Sequence, residues 1–242
     1  MLYWTLKVVV LGPLLRLLFR PWVEGASHVP EAGPAIFASN HLSFSDSIFL
    51  PLVVGRRLTF PAKSDYFTGK GIKGRLTALF FRGVGQIPIR REGGSASERA
   101  LASATEVLET GGVFGIYPEG TRTRDGYLHR GHTGVARLAL RTGAPIVPVG
   151  MIGTDEIQPT DKKMPRVMRT LTIRFGTPVT GARFEGKEHD RLVLRQITDE
   201  VMFEIQQLSG YEYVDTYATK QAEDVPTDPV PLATLETIGR VA

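Results

Sequence analysis

The sequence predicts a single α/β domain with a largely parallel central sheet flanked by helices, preceded by a separate apolar helical segment. Three observations lead there. From Gly25 onward, short β-prone runs bounded by Gly and Pro alternate with longer stretches of helical apolar period. Strands separated by helices imply a parallel sheet covered on both faces. The chain has 242 residues, 42% of them hydrophobic and 22% charged, which suits one globular domain with a real core.

The elements follow in order. Ala35–Ala38 reads as a short buried strand after a Gly-Pro turn, and Ser47–Val54 as a helix. Leu58–Ala62 is a second strand, Gly74–Phe81 a helix with an apolar face, and Val84–Ile89 a third strand. Ser97–Thr110 is an alanine-rich helix stopped by Gly111–Gly112. Val113–Tyr117 is a fourth strand, and Thr133–Thr142 a helix ended by Gly143. Pro145–Val149 and Leu171–Phe175 are further strands. The last helix runs from about Glu188 to Leu208, with Ile197, Val201, Ile205 and Leu208 on one face, and Gly210 ends it. This gives an N-terminal segment at 1–22, the α/β domain at 23–218 and a loose tail at 219–242, rich in Pro, Asp and Thr. No internal repeat is visible.

The N-terminal segment is strongly apolar from Leu2 to Phe19, but Lys7, Gly12, Pro13 and Arg16 interrupt it. About a dozen apolar side chains favour insertion by several kcal/mol, and the two cations cost up to ~3 kcal/mol each. The sums nearly cancel, so the segment reads as an interfacial hairpin or kinked helix that docks on a membrane. Tyr3 and Trp4 would sit at the boundary, and Arg16 and Arg20 would reach toward phosphates. No small-residue cleavage site marks it as a signal peptide. The alternative is that it packs on its own domain.

The net charge is +4, which fits anionic lipid, a phosphorylated substrate or nucleic acid. The absence of cysteine excludes disulfides, thiolate metal sites and a cysteine nucleophile.

The strongest chemical signal is Asn40-His41-Leu42-Ser43-Phe44-Ser45-Asp46, on the loop after the first strand. A histidine there can take a proton from an alcohol. A carboxylate five residues on can fold back to fix the tautomer and stabilise the imidazolium. The competing reading makes Ser43 and Asp46 an S-x-x-D capping box and His41 an ordinary loop residue. Tyr117-Pro118-Glu119-Gly120-Thr121-Arg122-Thr123-Arg124 follows the fourth strand, and its arginines suit phosphate. Glu119 can orient an arginine or a glycerol hydroxyl. Alone, this segment also fits a polar turn with solvated charges. Gly85-Gln86-Ile87-Pro88-Ile89-Arg90-Arg91 ends the third strand with two cations, and Ile146-Val147-Pro148-Val149 reads as an apolar wall.

Taken together, these four ordered blocks resemble the 1-acylglycerol-3-phosphate acyltransferase family, bacterial type, over about Val23 to Phe175. The resemblance implies that His41 and Asp46 are catalytic. It implies that Arg91 and the loop Glu119, Gly120, Thr121 and Arg122 hold a glycerol phosphate. It further implies an acyl donor on coenzyme A or acyl carrier protein as co-substrate, with no metal or other cofactor. Its acceptor would be a membrane lysolipid, reached from the cytoplasmic face of the cell membrane by peripheral contact. Two positions depart from the family pattern. Arg90 stands where many members have an acid, and His132 where many have a lysine. Both touch the implied anion site.

Other motifs carry less. Gly69-x-Gly71-x-x-Gly74 matches a dinucleotide fingerprint, but Ser64–Thr68 separate it from the preceding strand. His129 and His132 with Asp125 lack further metal ligands. There is no G-x-S-x-G, which disfavours a serine hydrolase. A nonenzymatic anionic-lipid binder is the rival reading, and it would tolerate loss of His41. Nucleic acid is not an expected partner, because aromatics do not interleave with the basic clusters.

Overall fold

The computed structural model describes residues 2–89, 96–160, 162, 164–167 and 169–219. Its strands in chain order are β1 (Trp22–Glu24), β2 (Ala35–Ser39), β3 (Leu58–Lys63), β4 (Gln86–Ile89), β5 (Val113–Ile116), β6 (Leu128–His129), β7 (Ile146–Ile152), β8 (Thr172–Phe175) and β9 (Tyr213–Val214). Seven of them form one sheet in the order β1-β8-β7-β2-β5-β3-β4. Every pairing in it is parallel except β7 with β8. β2 lies at the centre and is buried at all five positions, as a strand covered on both faces must be.

The helices are α1 (Leu2–Trp4), α2 (Leu11–Phe19), α3 (Asp46–Val53), α4 (Asp65–Thr68), α5 (Gly71–Gly83), α6 (Ala96–Glu109), α7 (Gly134–Thr142), α8 (Thr154–Ile157) and α9 (Arg191–Ser209). One face of the sheet packs under α6, α7 and α9, through Leu108, Leu138, Ile197, Val201 and Ile205. The other packs under α2 and α3, through Phe19, Phe49, Leu50 and Leu52. Asp190 caps α9 by accepting the N–H groups of Leu192 and Val193, which starts this helix at Arg191, later than its sequence pattern suggests. Gly210, at φ 76°, ends it.

The expected elements are present, with differences at the ends. β1, β6, β9, α4 and α8 have four residues or fewer, too short for a periodic signal. Gly71 opens α5, but α4 stands between it and β3, so the glycine motif does not form a strand-to-helix phosphate turn. Of the predicted tail, residues 220–242 lie outside the described residues.

The N-terminal segment is one interrupted helical run and not a hairpin. Thr5–Val10 form a π-helical stretch between α1 and α2, and Pro13 falls in the first turn of α2. One boundary assignment needs correction. Tyr3 is buried, and its hydroxyl accepts the Leu58 N–H at 3.3 Å. Arg16 stays exposed and donates one guanidinium N–H to the Leu52 carbonyl at 3.3 Å. Lys7 likewise donates to Val54 and Arg56 carbonyls, and burial beside Arg16 lowers its pKa to about 8. The carbonyls in the last turn of α3 and just after it need donors, and Lys7 and Arg16 supply them. The opposite side of the run exposes Trp4, Val8, Val9, Val10, Leu14 and Leu17. Among the described residues, no helix is long and apolar enough to cross a membrane.

Candidate active site

The parallel strands β2, β5 and β7 bring their carboxyl ends to one edge, where loops of an α/β sheet gather. Asn40 follows β2 and extends its ladder with a side chain. Its Nδ2 donates to the Met151 carbonyl at 2.9 Å, and its Oδ1 accepts the Met151 N–H at 2.7 Å. The chain is thereby pinned to β7 immediately before His41.

His41 Nδ1 lies 2.8 Å from Asp46 Oδ2, and Asp46 is fully buried. The same oxygen accepts the N–H groups of Leu42 and Ser43, each at 2.8 Å. The capping reading is therefore half realised, since Asp46 reaches back to Ser43. Ser43 Oγ instead bonds Ser45 Oγ and the Gln158 carbonyl. Asp46 closes the loop and holds the imidazole with one oxygen. Occupied at Nδ1, the ring has Nε2 left for other partners. The His41 side chain is 17% exposed, so part of the ring reaches the surface.

An aromatic column supports the ring. His41 stacks on Tyr117 with centroids 3.8 Å apart and planes 7° apart, and Tyr117 stacks on Phe60 at 5.2 Å. Tyr117 is anchored by its hydroxyl to Ser47 Oγ at 2.9 Å. Burial, then the Asp46 charge, push its phenol well above the usual range, so it stays neutral. Gly115 makes the column possible, because a Cβ there would lie 2.3 Å from the Phe60 ring.

Glu119 sits behind the loop. It is 1% exposed, its Oε1 accepts the His41 N–H at 3.1 Å, and its Oε2 accepts the His129 N–H at 3.0 Å. Burial raises its pKa to about 7 against these two bonds, with Asp46 and Asp125 adding to the rise. Both oxygens are committed to backbone, so Glu119 does not face the open edge. Next to it, Gly120 has φ +75°, and its Cβ position lies 3.0 Å from the His132 ring. Thr121 and Arg122 are half-buried, Arg124 is exposed, and among the described residues neither arginine pairs with a carboxylate. Arg90 and Arg91 lie outside the described residues.

His129 and His132 do not converge. His129 Nε2 meets Asp125 at 3.0 Å, while His132 stacks on Tyr217 at 4.6 Å. Among the described residues, no group of three or more His, Cys, Asp and Glu is placed to hold a metal ion. β9 pairs with β6 and so braces the 119–132 loop from the C-terminal side.

The sequence reading brought His41 and Asp46 together and missed three supports. Asn40 and Tyr117 stood in the motifs without a role, and Phe60 was not singled out. Gly115 inside a strand was the available signal, since such a glycine marks close approach of another group.

Comparison with known proteins gives this arrangement a context. A family model described as Acyltransferase matches residues 20–152. A chloroplastic 1-acyl-sn-glycerol-3-phosphate acyltransferase of Arabidopsis thaliana is 32% identical over 162 residues, covering 66% of this chain and 44% of that protein. An uncharacterized protein of Mycobacterium tuberculosis is 29% identical over 239 residues, covering 82% and 64%. The chain thus spans less than two thirds of the length of these relatives. The crystal structure of the 1-acyl-sn-glycerophosphate acyltransferase of Thermotoga maritima superposes with a TM-score of 0.57 at 26% identity, covering 77% of this chain and 72% of that one. The family match starts just ahead of β1 and ends with β7, so it takes in His41, Asp46, the aromatic column and the Glu119 clamp; the chain belongs to the acyltransferase family.

Proposed function

We propose that this protein transfers a fatty acyl group from an acyl thioester to the sn-2 hydroxyl of a 1-acylglycerol-3-phosphate, giving phosphatidic acid. The donor is acyl-CoA or acyl carrier protein. The observation that carries the reading is the bond between His41 Nδ1 and a buried Asp46, which leaves Nε2 to receive a proton. The relatives of this name support the choice of acceptor.

In this mechanism Nε2 takes the proton of the sn-2 hydroxyl as its oxygen attacks the thioester carbonyl. The Asp46 charge stabilises the imidazolium that forms. Collapse of the tetrahedral intermediate breaks the C–S bond, and the imidazolium returns its proton to the departing thiolate. Arg91 and Arg122 hold the acceptor phosphate. Glu119 acts as a positioning residue that fixes the His41 backbone. The protein works at the cytoplasmic face of the membrane, docked through the exposed side of its N-terminal run.

The test is thiol release from oleoyl-CoA by purified protein in detergent, with and without lysophosphatidic acid. Release that requires the acceptor and yields phosphatidic acid supports the proposal. Full release by His41→Ala overturns the mechanism. Activity only with another lysolipid keeps the chemistry and replaces the acceptor.

A further inference from the structure

We infer that the outer face of α5 is a second membrane-contact element, one that binds the surface of an anionic bilayer beside the N-terminal run. Ile72, Leu76 and Leu79 recur at spacings of four and three, so they share one side of the helix. They are 79%, 61% and 53% exposed. The opposite side is anchored, with Ala78 and Phe81 buried and Phe81 stacked on Tyr66 at 4.3 Å. The exposed face therefore cannot turn inward to hide its apolar groups. Scattered exposed leucines are ordinary, but a stripe of three on a fixed helix is a surface that awaits a partner.

Charge selects the partner. Lys73, Arg75 and Arg82 flank the stripe and are exposed. Residues 66–91 carry six basic side chains and no acidic one, and residues 1–23 carry three and none. Of the 29 basic and 25 acidic residues in the chain, the remainder holds 20 and 25, a net −5. Both stretches thus pair positive charge, without an acid among it, with exposed apolar side chains. Apolar groups flanked by cations, with no acid among them, match an interface of acyl chains under anionic headgroups. Long cationic stems can lie over lipid while their charged ends reach phosphate. The groove between α4 and α5, about 390 Å³ and lined by Phe67, Arg75, Leu79 and Arg82, has the same composition. α1 packs against α5, so the two elements are neighbours on the molecule.

The experiment is co-sedimentation of the full chain with phosphatidylcholine vesicles, with and without phosphatidylglycerol. Two variants are compared with the wild type: Ile72→Gln/Leu76→Gln/Leu79→Gln and Lys73→Gln/Arg75→Gln/Arg82→Gln. The apolar variant is expected to weaken partitioning onto both vesicle types by about tenfold or more. The charge variant is expected to weaken it only where phosphatidylglycerol is present, by about fivefold per residue. Thermal midpoints monitor folding. Wild-type partitioning by both variants overturns the inference. So does a dimer that the apolar variant dissolves, which would make the face a self-interface. The inference places the enzyme of the preceding section on a membrane, and a parallel assay separates the two. With a short-chain acyl-CoA and a short-chain lysophosphatidic acid below its aggregation threshold, the variants should turn over like wild type. Loss of that soluble turnover would make the face part of the substrate path and overturn the docking role. Variant-sensitive vesicle binding by a protein with no turnover at all would uphold the docking role and remove the proposed reaction.

Discussion

Two buried carboxylates hold the same loop from opposite sides, and they face different partners. Asp46 accepts the Leu42 and Ser43 N–H groups and adds the His41 ring. Glu119 accepts the His41 and His129 N–H groups and no side chain. Asp46 thus hydrogen-bonds a group that can change its charge, whereas Glu119 hydrogen-bonds only backbone. A carboxylate in a conspicuous motif can therefore serve chemistry or serve shape, and its partner's ability to titrate decides which.

The comparison breaks most visibly through activity. His41→Ala removes the ring that Asp46 serves and should lower kcat/KM by about 10²–10⁴-fold. A steady-state assay of acceptor-dependent thiol release measures it, and a loss of less than tenfold would count against the base.

Glu119 should reveal itself through stability against pH. The unfolded carboxyl loses its proton near 4.5, but the folded one keeps it until about 7. Within that window the folded state binds more protons, so stability falls as pH rises and then levels off. The interval corresponds to about 3 kcal/mol. Urea unfolding at both ends of the window should show this decline in wild type and its absence in Glu119→Gln.

The aromatic column sharpens the contrast further. Gly115→Ala drives a methyl into Phe60 and should cost about 1–3 kcal/mol of stability. It should lower kcat more than it changes either KM, because the disturbance reaches substrate only through His41. The smallest effect is expected from Tyr117→Phe, which keeps the stack and loses the Ser47 bond, at about 1 kcal/mol. Thermal unfolding beside kinetics checks both variants.

Much of this was legible in the sequence. The order of strands and helices follows from apolar period; the five-residue spacing allowed the His41–Asp46 contact beside a capping reading, and the ordered family blocks favoured it. The rest depended on contacts between distant segments. Nothing local tells that Tyr117 will lie under His41, or that Asn40 will bridge to Met151. The burial of Tyr3 and the Arg16 bond to Leu52 were equally hidden, because their backbone partners lie 55 and 36 residues away. The short β6–β9 pair that braces the loop has too few residues to show a period.

The column also gives His41 a magnetic signature, which among the described residues it shares with His132 on Tyr217. A ring lying flat on a phenol face sits in the shielding cone of that ring's circulating electrons. The carbon-bound protons of His41 should therefore resonate upfield of those of His28 and His189, for which no such stack is present among the described residues. The two stacked imidazoles could then be told from the unstacked ones in the intact protein, without a label.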